Sequence, residues 1–200
     1  MTDSAEISSL NGDAAIAPER PLKRRRWPWM ILVVSLGLIA LAGWNAMIWY
    51  PVSGALKDED SVSVVAYRRW LISPTAIVID VRNVNGSASM ADMDRNFFKA
   101  AEALKDRQVD TVVLAYRGKA KWLFAGQAFQ TIGRERSFQN PVFVMRTMQQ
   151  DVKTLDGSGA FPALSGGWLG VLGEELDQHK RFHEGWWLND ALGTSAGAAM

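Results

Sequence analysis

The sequence predicts an α+β (or α/β) domain, a small mixed sheet with flanking helices, preceded by one transmembrane helix. Three observations carry that expectation: an uncharged apolar stretch from Met30 to Tyr50, two short β-branched runs separated by a segment of helical period, and a glycine-punctuated connection into a further apolar run. They divide the 200 residues into a disordered basic tail at 1–26, a spanning helix at 27–50, an exterior domain at 54–190 and a disordered small-residue tail at 191–200.

The spanning helix is the strongest signal. At about 1.5 Å per residue, about 20 apolar residues cross the hydrocarbon core of a bilayer, and nothing else in a chain of this size is large enough to enclose such a segment on every side. Trp27 and Trp29 stand at one end and Trp44, Trp49 and Tyr50 at the other, the arrangement of two interfacial belts. A cleaved signal peptide is the rival reading, with small residues at Ala40 and Ala42 for a cut. The charged region begins late for one, however, and the apolar stretch runs on through Met47, Ile48 and Trp49. Arg20, Lys23, Arg24, Arg25 and Arg26 precede the segment, whereas Lys57 is followed by Asp58, Glu59 and Asp60, so the N-terminus is expected in the cytoplasm and the domain outside. In a bacterium that makes an inner-membrane protein with a periplasmic domain.

Charge excludes one class of partner. With 22 basic and 21 acidic residues, and several of the basic ones explained by topology, no concentrated cationic surface remains for nucleic acid. The lipid bilayer is an expected partner, and the basic run also suits anionic lipid. The chain has no cysteine, which removes disulfides and thiol chemistry.

Within the domain, "DEDSVSVVAYRRWLISP" has acidic residues at its start, Arg68 and Arg69 near its end and Pro74 beyond, as a helix would; the alternation Val62, Val64, Ala66 would suit a strand. The helix is the preferred reading. "TAIVIDVRN" at 75–83 reads as a buried strand. From Ser89 to Arg107, apolar residues recur at three and four positions behind a Ser89/Asp92 cap, which predicts an amphipathic helix, and "DTVVLAYRG" at 110–118 returns to strand. Arg117 and Gly118 then open a hairpin into "AKWLFA", after which "QAFQTI" forms a short helix closed by Gly133, or a longer helix runs through Gly126. "NPVFVMRTM" at 140–148 reads as a strand, the following stretch as a loop, and Trp168 to about Trp186 as a helix capped by Ser165.

The segment "VVLAYRGKAKWLFAGQAF" is similar to the strand and glycine segment of the enoyl-CoA hydratase (crotonase) family. That resemblance implies an oxyanion-hole amide at Gly126 or Ala125. It covers about a tenth of the chain, and no matching catalytic carboxylate follows, so the family's activity is not carried over. Gly118, Gly126 and Gly133 are too widely spaced for a phosphate cradle, and Ser158 and Ser165 lack the surroundings of a nucleophile elbow. No cofactor is expected.

The best chemical constellation is Glu175, His179 and His183, each four residues apart and so on one helix face, a spacing that suits a metal ion. Lys180 occupies the place of a zincin's catalytic glutamate, which removes that mechanism's general base. The chain holds nine tryptophans. Trp168, Trp186 and Trp187, with Leu188, either fill the core or form a patch for a partner. The expected function is a non-enzymatic, membrane-anchored assembly module binding another envelope protein or itself; the alternative is a tethered enzyme built on the histidine face or on Gly126.

Overall fold

The computed structural model describes residues 27–136, 138, 140, 144–145, 148–164 and 168–197, with the side chains of 27–28, 168–170 and 194–197 outside that description. Its architecture is α+β: a five-stranded mixed sheet in the order β1-β2-β3-β4-β5, with helices alongside and one long apolar helix at the N-terminal end. Contacts divide the chain inside that helix, Met1–Leu36 forming one unit and Gly37–Met200 the other.

Helix α1, Trp27–Ala55, is long and apolar enough to cross a membrane, with a mean hydropathy of 2.1 over its best window. Trp29, Trp44, Trp49 and Tyr50 are all exposed. The helix outlasts the expected end at residue 50 because its last turns join the core: Ile48 and Val52, with Leu56 just beyond the helix, are buried in the same cluster as the sheet. The tail at 1–26, with Arg24, Arg25 and Arg26, lies outside the described residues.

The segment expected as a helix after residue 58 is a strand, β1 (Val62–Arg68). The alternation of its apolar positions decides the matter, since Val62 and Ala66 point into the core and the backbone pairs antiparallel with β2 (Ala76–Val84). Ser89 caps α2 (Met90–Ala103) with a full capping box, Asp92 answering the Ser89 amide at 2.9 Å. Helix α2 carries the crossover to β3 (Thr111–Tyr116), which lies parallel to β2. A two-residue hairpin with both Arg117 and Gly118 at positive φ leads to β4 (Lys119–Ala125), and α3 (Gly126–Glu135) follows at once.

The strand expected at 140–148 is not found where that stretch is described: Val144 and Met145 are helical, and a 3₁₀ turn covers Met148–Asp151. Two residues of the expected loop, Val152–Lys153, form β5 against β4. Helix α4 spans Trp168–His183, a π-turn follows at Glu184–Leu188, and α5 runs over Asn189–Gly197, so the tail expected to be disordered is helical through Gly197. Ser165 lies outside the described residues.

Aromatic rings hold the centre. Phe97 of α2 meets Phe124, Phe129 and Trp186 edge-on, at centroid separations of 5.3, 5.4 and 6.2 Å. Trp186 also donates its indole N–H to the Ala115 carbonyl at 3.1 Å, fastening the π-turn to β3. At the other extreme of order, the turn Arg69–Leu71 between β1 and β2 holds Trp70 and Leu71 at φ 56 and 63, left-handed conformations that cost a residue with a Cβ about 1–2 kcal/mol each.

Candidate functional site

The two histidines meet, but the carboxylate that joins them is Asp94 from α2. One ligand atom from each of Asp94, His179 and His183 lies within 4.8 Å of the others, and Glu175, although buried, is not in that group. Asp94 Oδ2 is 2.8 Å from His179 Nε2, Asp94 Oδ1 is 3.1 Å from His183 Nε2, and the two Nε2 atoms are 3.1 Å apart. Asp94 and His183 are fully buried; His179 reaches the surface. Sequence spacing identified the histidines because they share one helix. Asp94 sits 85 residues from His179 on another helix, where no local pattern marks it.

The protons of this cluster follow from its neighbour. Trp187 Nε1 lies 2.9 Å from His183 Nδ1, and an indole nitrogen only donates, so Nδ1 accepts and the His183 proton is on Nε2. There it lies between His179 Nε2 and Asp94 Oδ1, each at 3.1 Å, and the hydrogen bond is to His179. A histidine that binds metal has the opposite arrangement, a lone pair toward the ion and its other N–H donated to an acceptor. The donor set is one that transition metals accept, yet the Trp187 contact makes His183 a hydrogen-bond donor toward the centre. That tautomer does not suit a metal ligand at His183, and Asp94 Oδ1 is left buried without a hydrogen-bond partner beside the two rings.

The electrostatics agree. Burial pushes the Asp94 carboxyl up, and the interactions with His179 and His183 outweigh it, leaving it below its ordinary value. Burial dominates at His183 and holds that imidazole below its ordinary value despite the neighbouring carboxylate. An ionised Asp94 and a neutral His183 are the states the tautomer requires.

The glycines of 119–133 serve packing. A Cβ on Gly126 would lie 2.0 Å from the Val109 carbonyl oxygen, and one on Gly133 would lie 2.3 Å from that of Ala101. Gly133 thus sits inside α3 and does not close it; it lets α3 pack against α2. The Gly126 amide, the donor implied by the crotonase resemblance, is already given to the Asp110 carbonyl at 3.0 Å, and Ala125 is paired in register with Thr111. Ser158 is likewise accounted for: its hydroxyl lies 2.7 Å from Asp156, in an exposed turn whose hydrogen bonds from Thr154 and Ser158 lower Asp156 to about 2.

Trp186 and Trp187 are 1% and 3% exposed, so of the two readings, core and partner patch, these rings take the core. Leu188 is half-buried against that core, and the Trp168 side chain lies outside the described residues.

An apolar surface that sequence reasoning missed lies on the opposite face of the sheet. Tyr67, Val78, Val113 and Leu123 stand in register across four strands, each beside the next. With Ala115 they floor and wall a half-open cleft of about 340 Å³, rimmed by Trp70, Leu71 and Leu155; no residue of a described α-helix lines it. The signal was present in "IVIDV" and "TVVLAY", which are apolar at successive positions and so need cover on both faces.

At one edge of the cleft the sheet is bolted to α1. Asn45 donates to the Leu71 carbonyl at 2.7 Å and accepts from the Arg68 amide at 3.0 Å. The Arg68 guanidinium lies 4.0 Å over the Trp44 ring and is held by the carbonyls of Trp44, Ser73 and Pro74.

Comparison with known proteins finds no matching family model, no similar curated protein and no similar solved structure. Function is therefore read from this chain's own residues.

Proposed function

We propose that the chain is a single-pass membrane protein whose α+β domain binds another protein held at the same membrane, through the apolar cleft on the outer face of the sheet. The observation that carries this reading is the in-register row Tyr67, Val78, Val113 and Leu123, whose cleft no described α-helix lines. Val78, Val113 and Ala115 are buried at its floor, whereas Trp70, Leu71 and Leu155 are exposed at its rim, and cover of those rim side chains is what a partner supplies. Helix α1 supports the anchor by its length and hydropathy. The basic residues before it and the acidic ones after it favour a cytoplasmic N-terminus and an exterior domain, which in a bacterium is periplasmic.

Binding is favoured over catalysis by the composition of the cleft. Among the described residues Tyr67 and Arg69 are its titratable lining groups, and the Tyr67 hydroxyl is already given to the buried Asp80 carboxylate at 3.1 Å, which Arg82 and the Gly118 amide also hold. The cluster that does carry such groups, Asp94 with His179 and His183, is buried away from this cleft, with His179 alone of the three reaching the surface.

Photo-crosslinking in cells tests this. A crosslinker at Leu123 is expected to give one discrete product, removed by Leu155→Glu at the cleft rim, while a crosslinker at Leu176, exposed on α4, gives none. A product at twice the chain's mass would make the partner a second copy. Equal, diffuse products from both positions would defeat the reading.

A further inference from the structure

We propose that the turn Arg69–Ile72 is a second membrane contact, seated in the interfacial layer of the leaflet from which α1 emerges, with lipid as its ligand. This rests on α1 spanning a bilayer.

The turn is built to present apolar side chains outward. Trp70, Leu71 and Ile72 are 78%, 46% and 68% exposed, and Trp70 and Leu71 hold left-handed backbone conformations at φ 56 and 63. A strained backbone persists only where the surroundings fix it. Here the fixing contact comes from α1: Asn45 gives its amide N–H to the Leu71 carbonyl at 2.7 Å, and its oxygen takes the Arg68 amide at 3.0 Å.

The level of that contact along α1 decides what surrounds the turn. About 20 residues fill the hydrocarbon core, so a span that starts at Met30 ends near Trp49. Asn45 lies four residues earlier, about 6 Å deeper at 1.5 Å per residue. A loop bonded to Asn45 is therefore carried into the headgroup region and the upper acyl chains. An amide at that depth requires hydrogen-bond partners, and Asn45 finds them in the backbone of Leu41 in α1, Arg68 at the end of β1 and Leu71 in the turn. The exposed Trp70, Leu71 and Ile72 then face lipid instead of water. The exposed Arg69 and Arg107 suit anionic headgroups; Arg107 is near enough to contribute, after burial, to the lowering of Arg68.

The chain has no cysteine, so single-cysteine nitroxide labels can be placed without background. Full-length protein in bilayer nanodiscs containing anionic lipid is labelled in separate samples at Ile72→Cys, at Leu38→Cys within α1, and at Leu192→Cys. Leu192 is exposed and lines a cavity with Val84, at the end of β2 away from the turn. Ile72 and Leu38 are expected to collide readily with oxygen and to lose most collisions with a water-soluble nickel complex, with the reverse at Leu192. An Ile72 label as open to nickel as the Leu192 label, while Leu38 stays shielded, would overturn the lipid contact and leave the anchor standing. A Leu38 label open to nickel would overturn both.

Discussion

On the helix side of the sheet, Ile77, Ile79, Val112, Leu114 and Phe124 belong to one core with Phe97, Phe129 and Trp186. On the other side Val78, Val113 and Ala115 form a small cluster of their own with Tyr67 and Leu123. The residue types alternate along the same strands, so the chemistry of the two faces is nearly the same; cover makes the difference. The aromatic side is closed by rings whose N–H groups find partners within the fold, and it accounts for stability. The other side is left half-open beside the turn bonded to α1, and it is where a partner has something to gain.

The contrast breaks first at Trp186. Trp186→Ala removes the ring that Phe97 and Phe182 pack against and orphans the Ala115 carbonyl, with an expected cost of about 3–5 kcal/mol; chemical denaturation of the full chain in detergent reads it. Gly126→Ala and Gly133→Ala come next, at about 1–3 kcal/mol each, because backbone carbonyls occupy the space a methyl group needs. Should either lower stability by only a few tenths, the close approach described for α3 is not maintained.

Asp94→Asn is expected to cost a similar amount, since it puts an uncharged amide where a buried carboxylate accepts from His179 and lies 3.1 Å from His183. The same cluster sets a pH dependence. His183 is held below 6.5 in the fold, so as pH falls through about 6.5 the unfolded chain takes up a proton that the folded one declines, and stability drops. Asp94 is held below 3.8, so its contribution is present above that value and is lost as pH falls toward its folded value. Thermal unfolding across pH 7.5 to 5 checks the first window, and His183→Asn should flatten the profile there. Zinc added to the full chain is expected to leave the unfolding temperature unchanged. A rise with zinc, absent in His183→Asn, would mean that the Trp187 contact does not fix the tautomer.

The smallest stability effect belongs to the cleft. Leu155→Glu, at an exposed rim position, is expected to move stability within about 0.5 kcal/mol and to act on the partner alone. A large loss of stability there would show that the cleft is part of the core after all.

Much of the fold was legible because it is local. The Ser89 cap, the β-branched runs and the Arg117–Gly118 hairpin each announce themselves within a few residues. Strand β1 was misread as a helix because charge placement at its ends was weighed above the period of its interior, and only pairing with β2 settles that conflict. The site was legible by halves. His179 and His183 share a helix face, whereas Asp94 joins them across 85 positions, and nothing local marks the Trp187 N–H as a donor to His183. The cleft needed the register of four strands, which no single segment records.

The strands follow one another across the sheet in the order in which they occur in the chain, and consecutive strands are joined by short hairpins or one helical crossover except on the way to β5. Such a sheet can assemble progressively as the polypeptide is delivered. Its central ring, however, comes from the π-turn near the far end of the described chain, so every shorter intermediate leaves Phe97 without its Trp186 neighbour. Delivery through a membrane would therefore yield a nearly complete but sticky sheet until the last helices arrive, the interval in which chaperones bind and aggregation competes.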